Sequence, residues 1–156
     1  MQKRLDVVIS RFTRSYGPTM LMSDSKAVNQ FIKRGISGED IVLKSAGTQF
    51  YSYQYMADSI SRLLTTIFYG ENGNAYNIAD EHSDITLSDL ATIIAEICGT
   101  NVIYETPDEV EAAGYSTATK ARLEGSKLKQ LGWMPQYDIR SGMERTISIL
   151  KEMKES

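Results

Sequence analysis

Gly47-Thr48-Gln49-Phe50-Tyr51-Ser52-Tyr53-Gln54-Tyr55-Met56-Ala57-Asp58 joins a glycine turn, four aromatic rings and a polar run at the entrance of a helix. No other stretch of the chain is so dense in groups able to touch a ligand. Tyr51, Tyr53 and Tyr55 alternate, so in an extended segment they share one face. Such a face either packs its rings onto a core or presents them to a bound molecule. From Met56 the period changes. Ile60, Leu63, Leu64, Ile67 and Phe68 fall at i, i+3, i+4, i+7 and i+8, which predicts a helix to Tyr69 with Gly70 at its end. Taken with the strands and helices read along the rest of the chain, the alternation gives an α/β or α+β chain.

Upstream, Leu5 to Ile9 is a short β-branched run of the kind buried in a parallel sheet. A parallel strand needs neighbours and crossover connections, and nothing in the sequence precedes this one. The next segment, Arg11-Phe12-Thr13-Arg14-Ser15-Tyr16-Gly17-Pro18, closes on a Gly-Pro turn. Open α/β sheets bind ligands beyond the carboxyl ends of their strands, which makes this loop a candidate. Arg14 there either reaches an anionic ligand with its planar fork or pairs with a surface acid. Ser23 or Asp24 is placed to cap a helix carrying Ala27, Val28, Phe31 and Ile32, with Gly35 as its stop. Ile41 to Leu43 reads as a strand leading into Gly47.

Downstream, a turn at Glu71–Asn74 precedes a strand at Ala75–Ile78. The polar loop from Asp80 to Asp84 holds the sequence's lone histidine, His82, which has no second ligand or nucleophile beside it and is assigned no role. Thr86 and Asp89 form a capping box for a helix with Leu87, Leu90, Ala91, Ile94, Ile97 and Cys98 inward and Gly99 as its stop. Val102 to Tyr104 is a further strand, ended by Pro107 before an acidic helix start at 108–111. The segment from Ala113 to Glu124 is weakly periodic, and Lys120 and Arg122 share a face if it is extended. Ser126 is expected to cap a short helix through Leu131. Asp138 starts a last helix with Ile139, Met143, Ile147 and Leu150 inward, and the chain is expected to fray from Glu152.

Four segments, in order, resemble the NAD-dependent epimerase/dehydratase family, the extended short-chain dehydrogenases that rework nucleotide sugars. Arg11 to Pro18 is similar to R-x-x-N-x-Y-G-P, with Arg14 in place of asparagine. Gly47 to Asp58 is similar to G-x-Q-x-R-S/D-x-x-Y-V-x-D, with Tyr51 in place of arginine. Ala75-Tyr76-Asn77-Ile78 follows G-x-x-Y-N-I-G, and Ser126 to Pro135 follows S-K-L-x-x-L-G-W-x-P. The resemblance covers nearly the whole chain but only the C-terminal part of the family. It implies an α/β fold: the C-terminal portion of an extended Rossmann-type epimerase/dehydratase, with small mixed β-sheet pieces and about five helices. Residues 1–156 are then a single substrate-binding domain, without the dinucleotide-binding region.

What the resemblance implies for function is binding of the nucleotide-diphosphate part of a UDP- or dTDP-sugar, with NAD as cofactor of the full-length enzyme. It points to Arg14, Tyr16, Gln49, Tyr51, Tyr53, Lys120 and Arg122 as substrate-binding residues, the lost guanidinium at Tyr51 being replaced by Arg14, Lys120 or Arg122 unless the substrate differs. Catalytic residues are not expected here. No glycine set forms a dinucleotide loop, and none of the nine tyrosines is followed four residues later by lysine. The chain alone is therefore expected to bind no NAD and to be inactive. The alternative is a non-catalytic binding or assembly module that kept the scaffold.

Composition narrows the partners. The net charge of −3 and the lack of a basic run speak against nucleic acid. One cysteine and one histidine build neither a disulfide nor a metal site. No apolar stretch is long enough to span a bilayer, so a cytoplasmic protein is expected. Strand faces patterned for a larger sheet are expected to drive self-association.

Overall fold

The computed structural model describes residues 5–106 and 118–155. In chain order the elements are β1 (Ile9–Phe12), β2 (Arg14–Tyr16), α1 (Ala27–Ile36), β3 (Ile41–Leu43), β4 (Phe50–Tyr55), α2 (Met56–Tyr69), β5 (Ala75–Ile78), β6 (Asp84–Thr86), α3 (Leu87–Cys98), β7 (Val102–Tyr104), β8 (Lys120–Ala121), α4 (Ser126–Lys129) and α5 (Ile139–Glu155). The strands form three small sheets. β4 is the hub of the largest: its last three residues pair in parallel with β2, its first three antiparallel with β6, and its first two in parallel with β8. β1 pairs in parallel with β5, and β3 with β7.

Alternation along β4 separates two environments. Tyr51, Tyr53 and Tyr55, joined by Tyr16 of β2, are buried in one apolar core with Val28, Phe31 and Ile32 of α1, Leu90 and Ile94 of α3, and Met143, Ile147 and Leu150 of α5. The opposite face is polar. There the Ser52 hydroxyl donates to Asp84 and accepts from the Leu123 amide, and Gln54 is fully buried. A smaller core of Tyr76, Ile78, Leu128 and Trp133 lies by the β1–β5 pair.

Several expectations hold. α2, β3, β5 and β7 stand where the sequence puts them, and Thr86 caps α3, its Oγ1 accepting the Asp89 amide at 3.1 Å, with Gly99 left-handed at φ 72°. Asp138 accepts the Ser141 amide at the start of α5, whose Met143, Ile147 and Leu150 point inward.

Others are corrected. The first strand is Ile9–Phe12 rather than Leu5–Ile9, and it is largely exposed, with Ile9 at 49% and Phe12 at 46%. The turn after α2 decides this: Asn72 and Gly73 bond the backbone of Val7, so ladder pairing with β5 begins only at Ile9. Neither Ser23 nor Asp24 caps α1; Lys26 is its N-cap, without a side-chain bond. Gly35 lies inside that helix rather than at its end, where the lack of a β-carbon makes room for Cys98, whose Sγ would stand 2.7 Å from one, and the left-handed residue after the helix is Gly38. Gly125, not Ser126, precedes α4, which ends at Lys129. α5 stays helical to Glu155 because nothing after Leu150 breaks it. The expected stop at Pro107, the acidic start at 108–111 and residues 113–117 lie outside the described residues.

α2 is turned the unexpected way round. Ile60, Leu64, Ile67 and Phe68 are exposed, while Asp58, Ser59, Arg62 and Thr66 are buried. The polar face is inward because it has partners there. Asp58 accepts the Gln136 and Tyr137 amides at 3.2 and 3.1 Å, Arg62 stacks on Trp133, and Trp133 Nε1 donates to Ser61 at 2.7 Å.

Candidate functional site

A cavity of about 980 Å³ opens just beyond the carboxyl ends of β1 and β3. One wall is Thr13, Arg14 and Ser15; a second is the first turns of α1, from Ser25 through Phe31 to Arg34; a third is the exit of β3, Val42 to Ser45. Gln49, Tyr51 and Tyr53 of the organising stretch, with Leu87, close it. The size suits a small organic ligand. Its wall joins apolar groups, among them Val28, Phe31 and Leu43, to four cations, Arg14, Lys26, Arg34 and Lys44, and no carboxylate lines it among the described residues.

The cations are not equivalent. Lys26 is 3.0 Å from Asp24, and Arg34 donates to the Asp40 carbonyl at 2.6 Å with Glu39 at 3.7 Å. Arg14 instead lies flat over the Tyr51 ring, its Cζ 3.7 Å from the centroid. Tyr51 is held in turn: its hydroxyl donates to the Ala118 carbonyl at 2.7 Å. Burial pushes the Tyr53 hydroxyl up to about 12 despite the pull of Arg14, so it is a donor throughout the neutral range. The Gln49 Oε1 is buried and accepts no hydrogen bond from the described residues.

The structure therefore brings together Arg14, Gln49, Tyr51 and Tyr53, and it places three other candidates elsewhere. Tyr16 is in the core, its hydroxyl 3.4 Å from the Ile139 carbonyl and its acidity suppressed by burial. Lys120 sits opposite Phe50 in the parallel register, so it shares the Phe50 face rather than the Tyr51 face. Arg122 binds the buried Asp84 carboxylate and lies 5.4 Å over the Phe50 ring. Arg14 and Tyr51, the two departures from the resembled motifs, touch each other.

Sequence reasoning missed the contribution of α1 and the β3 exit, having read Val28 and Phe31 as packing alone. The rule that ligands sit beyond strand ends, applied to Lys44 and Ser45, would have found it. It also missed the buried Arg62, although Asp58 and Arg62 stand at i, i+4 on α2.

No dinucleotide loop stands among the described residues. The left-handed glycines, 38, 47, 73, 99 and 132, sit in separate turns, and none lies between a strand and the helix that follows it. That is where a pyrophosphate cradle is built. Among the described residues no carboxylate, histidine or cysteine cluster could hold a metal, and no helix is long and apolar enough to cross a membrane.

A profile of the NAD dependent epimerase/dehydratase family matches residues 1–79, half of the chain, and the protein belongs to that family. The chain is 27% identical over 146 residues to UDP-glucuronic acid decarboxylase 5 of Arabidopsis thaliana, covering 91% of this chain and 40% of that protein. It is 26% identical over 153 residues to UDP-glucuronic acid decarboxylase 1 of Xenopus tropicalis, covering 97% and 35%. Among solved structures, UDP-glucose 4-epimerase of Thermotoga maritima with UDP-glucose superposes with a TM-score of 0.81 at 23% identity, over 96% of this chain and 47% of that one. UDP-glucuronic acid 4-epimerase of Bacillus cereus with UDP-glucuronic acid and NAD gives 0.75 at 19% identity, over 96% and 46%. The Rossmann-type α/β fold is thereby established, and the chain spans less than half the length of these relatives.

Proposed function

We propose that this chain is the substrate-binding part of an NAD-dependent nucleotide-sugar epimerase or dehydratase, and that its cavity takes the nucleotide-diphosphate end of a UDP- or dTDP-sugar. One observation carries this reading: a cavity with apolar walls for a base and four cations, Arg14 among them without a carboxylate partner among the described residues, at the strand ends where α/β sheets bind ligands. The relatives with UDP-glucose and UDP-glucuronic acid bound support the ligand class. The cofactor and the acid–base groups are then supplied by the length that the relatives have in addition. By itself the chain binds no NAD and is catalytically silent, works in the cytoplasm where nucleotide sugars are made, and associates with itself through its outward apolar faces.

Titration of the chain with UDP-glucose, dTDP-glucose and UDP-glucuronic acid tests the reading. Saturable binding of at least one, with none of NAD, is the expected result; no binding of any nucleotide sugar rejects it. The exposed apolar stripe of α2 favours a second reading, a non-catalytic binding or assembly module on the same scaffold. The reading frame upstream of Met1 separates the two. An in-frame glycine-rich loop and Tyr-x-x-x-Lys select the enzyme, and a stop codon with a ribosome-binding site selects the module.

A further inference from the structure

Asn72-Gly73 is the sequence's single Asn-Gly pair, and it stands exposed in the turn between α2 and β5. Asparagine before glycine favours a reaction within the chain, because the unhindered backbone nitrogen of the glycine reaches the asparagine side-chain amide carbon. There is room for the product here: a β-carbon built on Gly73, whose φ is 77°, would meet nothing within 4 Å. One residue near the start of the chain grips both reacting groups. Val7 donates its amide hydrogen to Asn72 Oδ1 at 2.8 Å, and its carbonyl accepts the Gly73 amide hydrogen at 2.7 Å. The first bond polarises the carbonyl that is attacked. The second holds the proton that the attacking nitrogen must lose. Val7 is exposed, and the ladder with β5 begins only at Ile9, so Val7 parts from the turn without breaking the sheet.

We propose that Asn72 is a site of spontaneous deamidation gated by Val7, and that its conversion to isoaspartate unfastens the entry to β1. When Val7 lets go, hydroxide takes the Gly73 amide proton, the nitrogen bonds to Asn72 Cγ, and Nδ2 leaves as ammonia. The cyclic imide so formed adds one water at either carbonyl and opens to aspartate or isoaspartate. In the isoaspartate the main chain runs through the side-chain carbons and is a methylene longer. Gly73 is then carried out of register with Val7, and both hydrogen bonds of the clamp are lost.

The gate makes the test quantitative. Amide hydrogen exchange and deamidation at this turn both begin when hydroxide removes the same Gly73 proton, so one opening limits both. The full chain and a synthetic peptide of residues 69–76 are incubated in mildly alkaline buffer; mass-spectrometric peptide mapping follows each asparagine, and NMR follows exchange of the Gly73 amide. Asn72 should convert ahead of Asn29, Asn74, Asn77 and Asn101, about 10- to 100-fold more slowly than in the peptide, the range that two hydrogen bonds allow. Exchange of the Gly73 amide should be slowed by the same factor. In the purified isoaspartate product the Val7 and Gly73 amides should lose their protection. An Asn72 that stays intact while the peptide converts, or another asparagine that converts first, overturns the site. Conversion as fast as in the peptide overturns the gate, and so do unequal factors for exchange and deamidation. An isoaspartate product in which Val7 stays protected overturns the unfastening of β1.

Discussion

The guanidinium of Arg62 lies 3.7 Å from the centre of the Trp133 ring, and its charge faces the Asp80 carboxylate at 4.0 Å. All three residues are buried, and they join α2, the loop after β5 and the turn after α4. Lys129 also approaches Asp80, at 3.8 Å, but its side chain is one-third exposed, so removing Arg62 takes away the buried cation and leaves the carboxylate largely desolvated. Arg62→Ala is therefore expected to destabilise by about 3–5 kcal/mol. Arg62→Met fills the space over Trp133 and should lose less. Urea unfolding of both variants checks this, and an alanine variant within about 1 kcal/mol of wild type would contradict the role given to the pair.

Asp58 gives the pH dependence a sign. Burial, opposed by the amides of Tyr137 and Gln136 and by Arg62, holds its carboxyl above the ordinary carboxylate range. The folded chain thus keeps this proton to higher pH than the unfolded chain does. Its contribution is fully present below the unfolded value of about 4 and is lost as pH rises through the raised folded value. Asp58→Asn cannot titrate. The stability of Asp58→Asn relative to wild type should therefore increase with pH over that window, measured by denaturant unfolding at a series of pH values. A flat or falling difference rejects the raised carboxyl.

The outward stripe of α2 predicts association. Leu64→Glu with Phe68→Glu puts two charges, one turn apart, on an exposed apolar face. Sedimentation velocity should show the pair reducing self-association, while stability changes by no more than about 1 kcal/mol because both sites are exposed. Unchanged association would place the contact elsewhere.

Gly47 sets the approach to β4. Its φ is 66°, and a β-carbon would stand 2.6 Å from Leu43 Cδ2 and 2.8 Å from the Ser88 backbone nitrogen. Strain and overlap act together, so Gly47→Ala should destabilise by about 2–4 kcal/mol. Thermal unfolding measures it, and a loss near zero would mean that the loop re-forms easily.

Tyr51→Arg separates the two places a phosphate cation could occupy. In the wild-type background the new guanidinium meets that of Arg14 and should weaken UDP binding. In an Arg14→Asn background the same change should strengthen it, by about 1.5–3 kcal/mol at most. Equal effects in the two backgrounds, read by calorimetry, would show that the residues do not share a ligand.

The sequence by itself determined the local structure and the class. Period and turn chemistry placed α2, α3, α5 and the short strands around Gly47–Asp58, because spacing, capping and glycine preferences act within a few residues. Its motifs named the family. What only the tertiary structure decided depends on partners far apart in sequence. The apolar stripe of α2 has the same period whichever way it faces. The helix turns its polar side inward because Gln136, Tyr137, Trp133 and Asp80 wait there with amides, a ring and a carboxylate. Gly35 reads as a stop until Cys98 of another helix is seen to need the space. Lys120, Arg122 and Arg14 are equally plausible cations in a string of letters. The parallel register of β4 with β2 and β8 sends Arg14 to the cavity face and Lys120 to the other, since neighbouring residues in register share a side of the sheet.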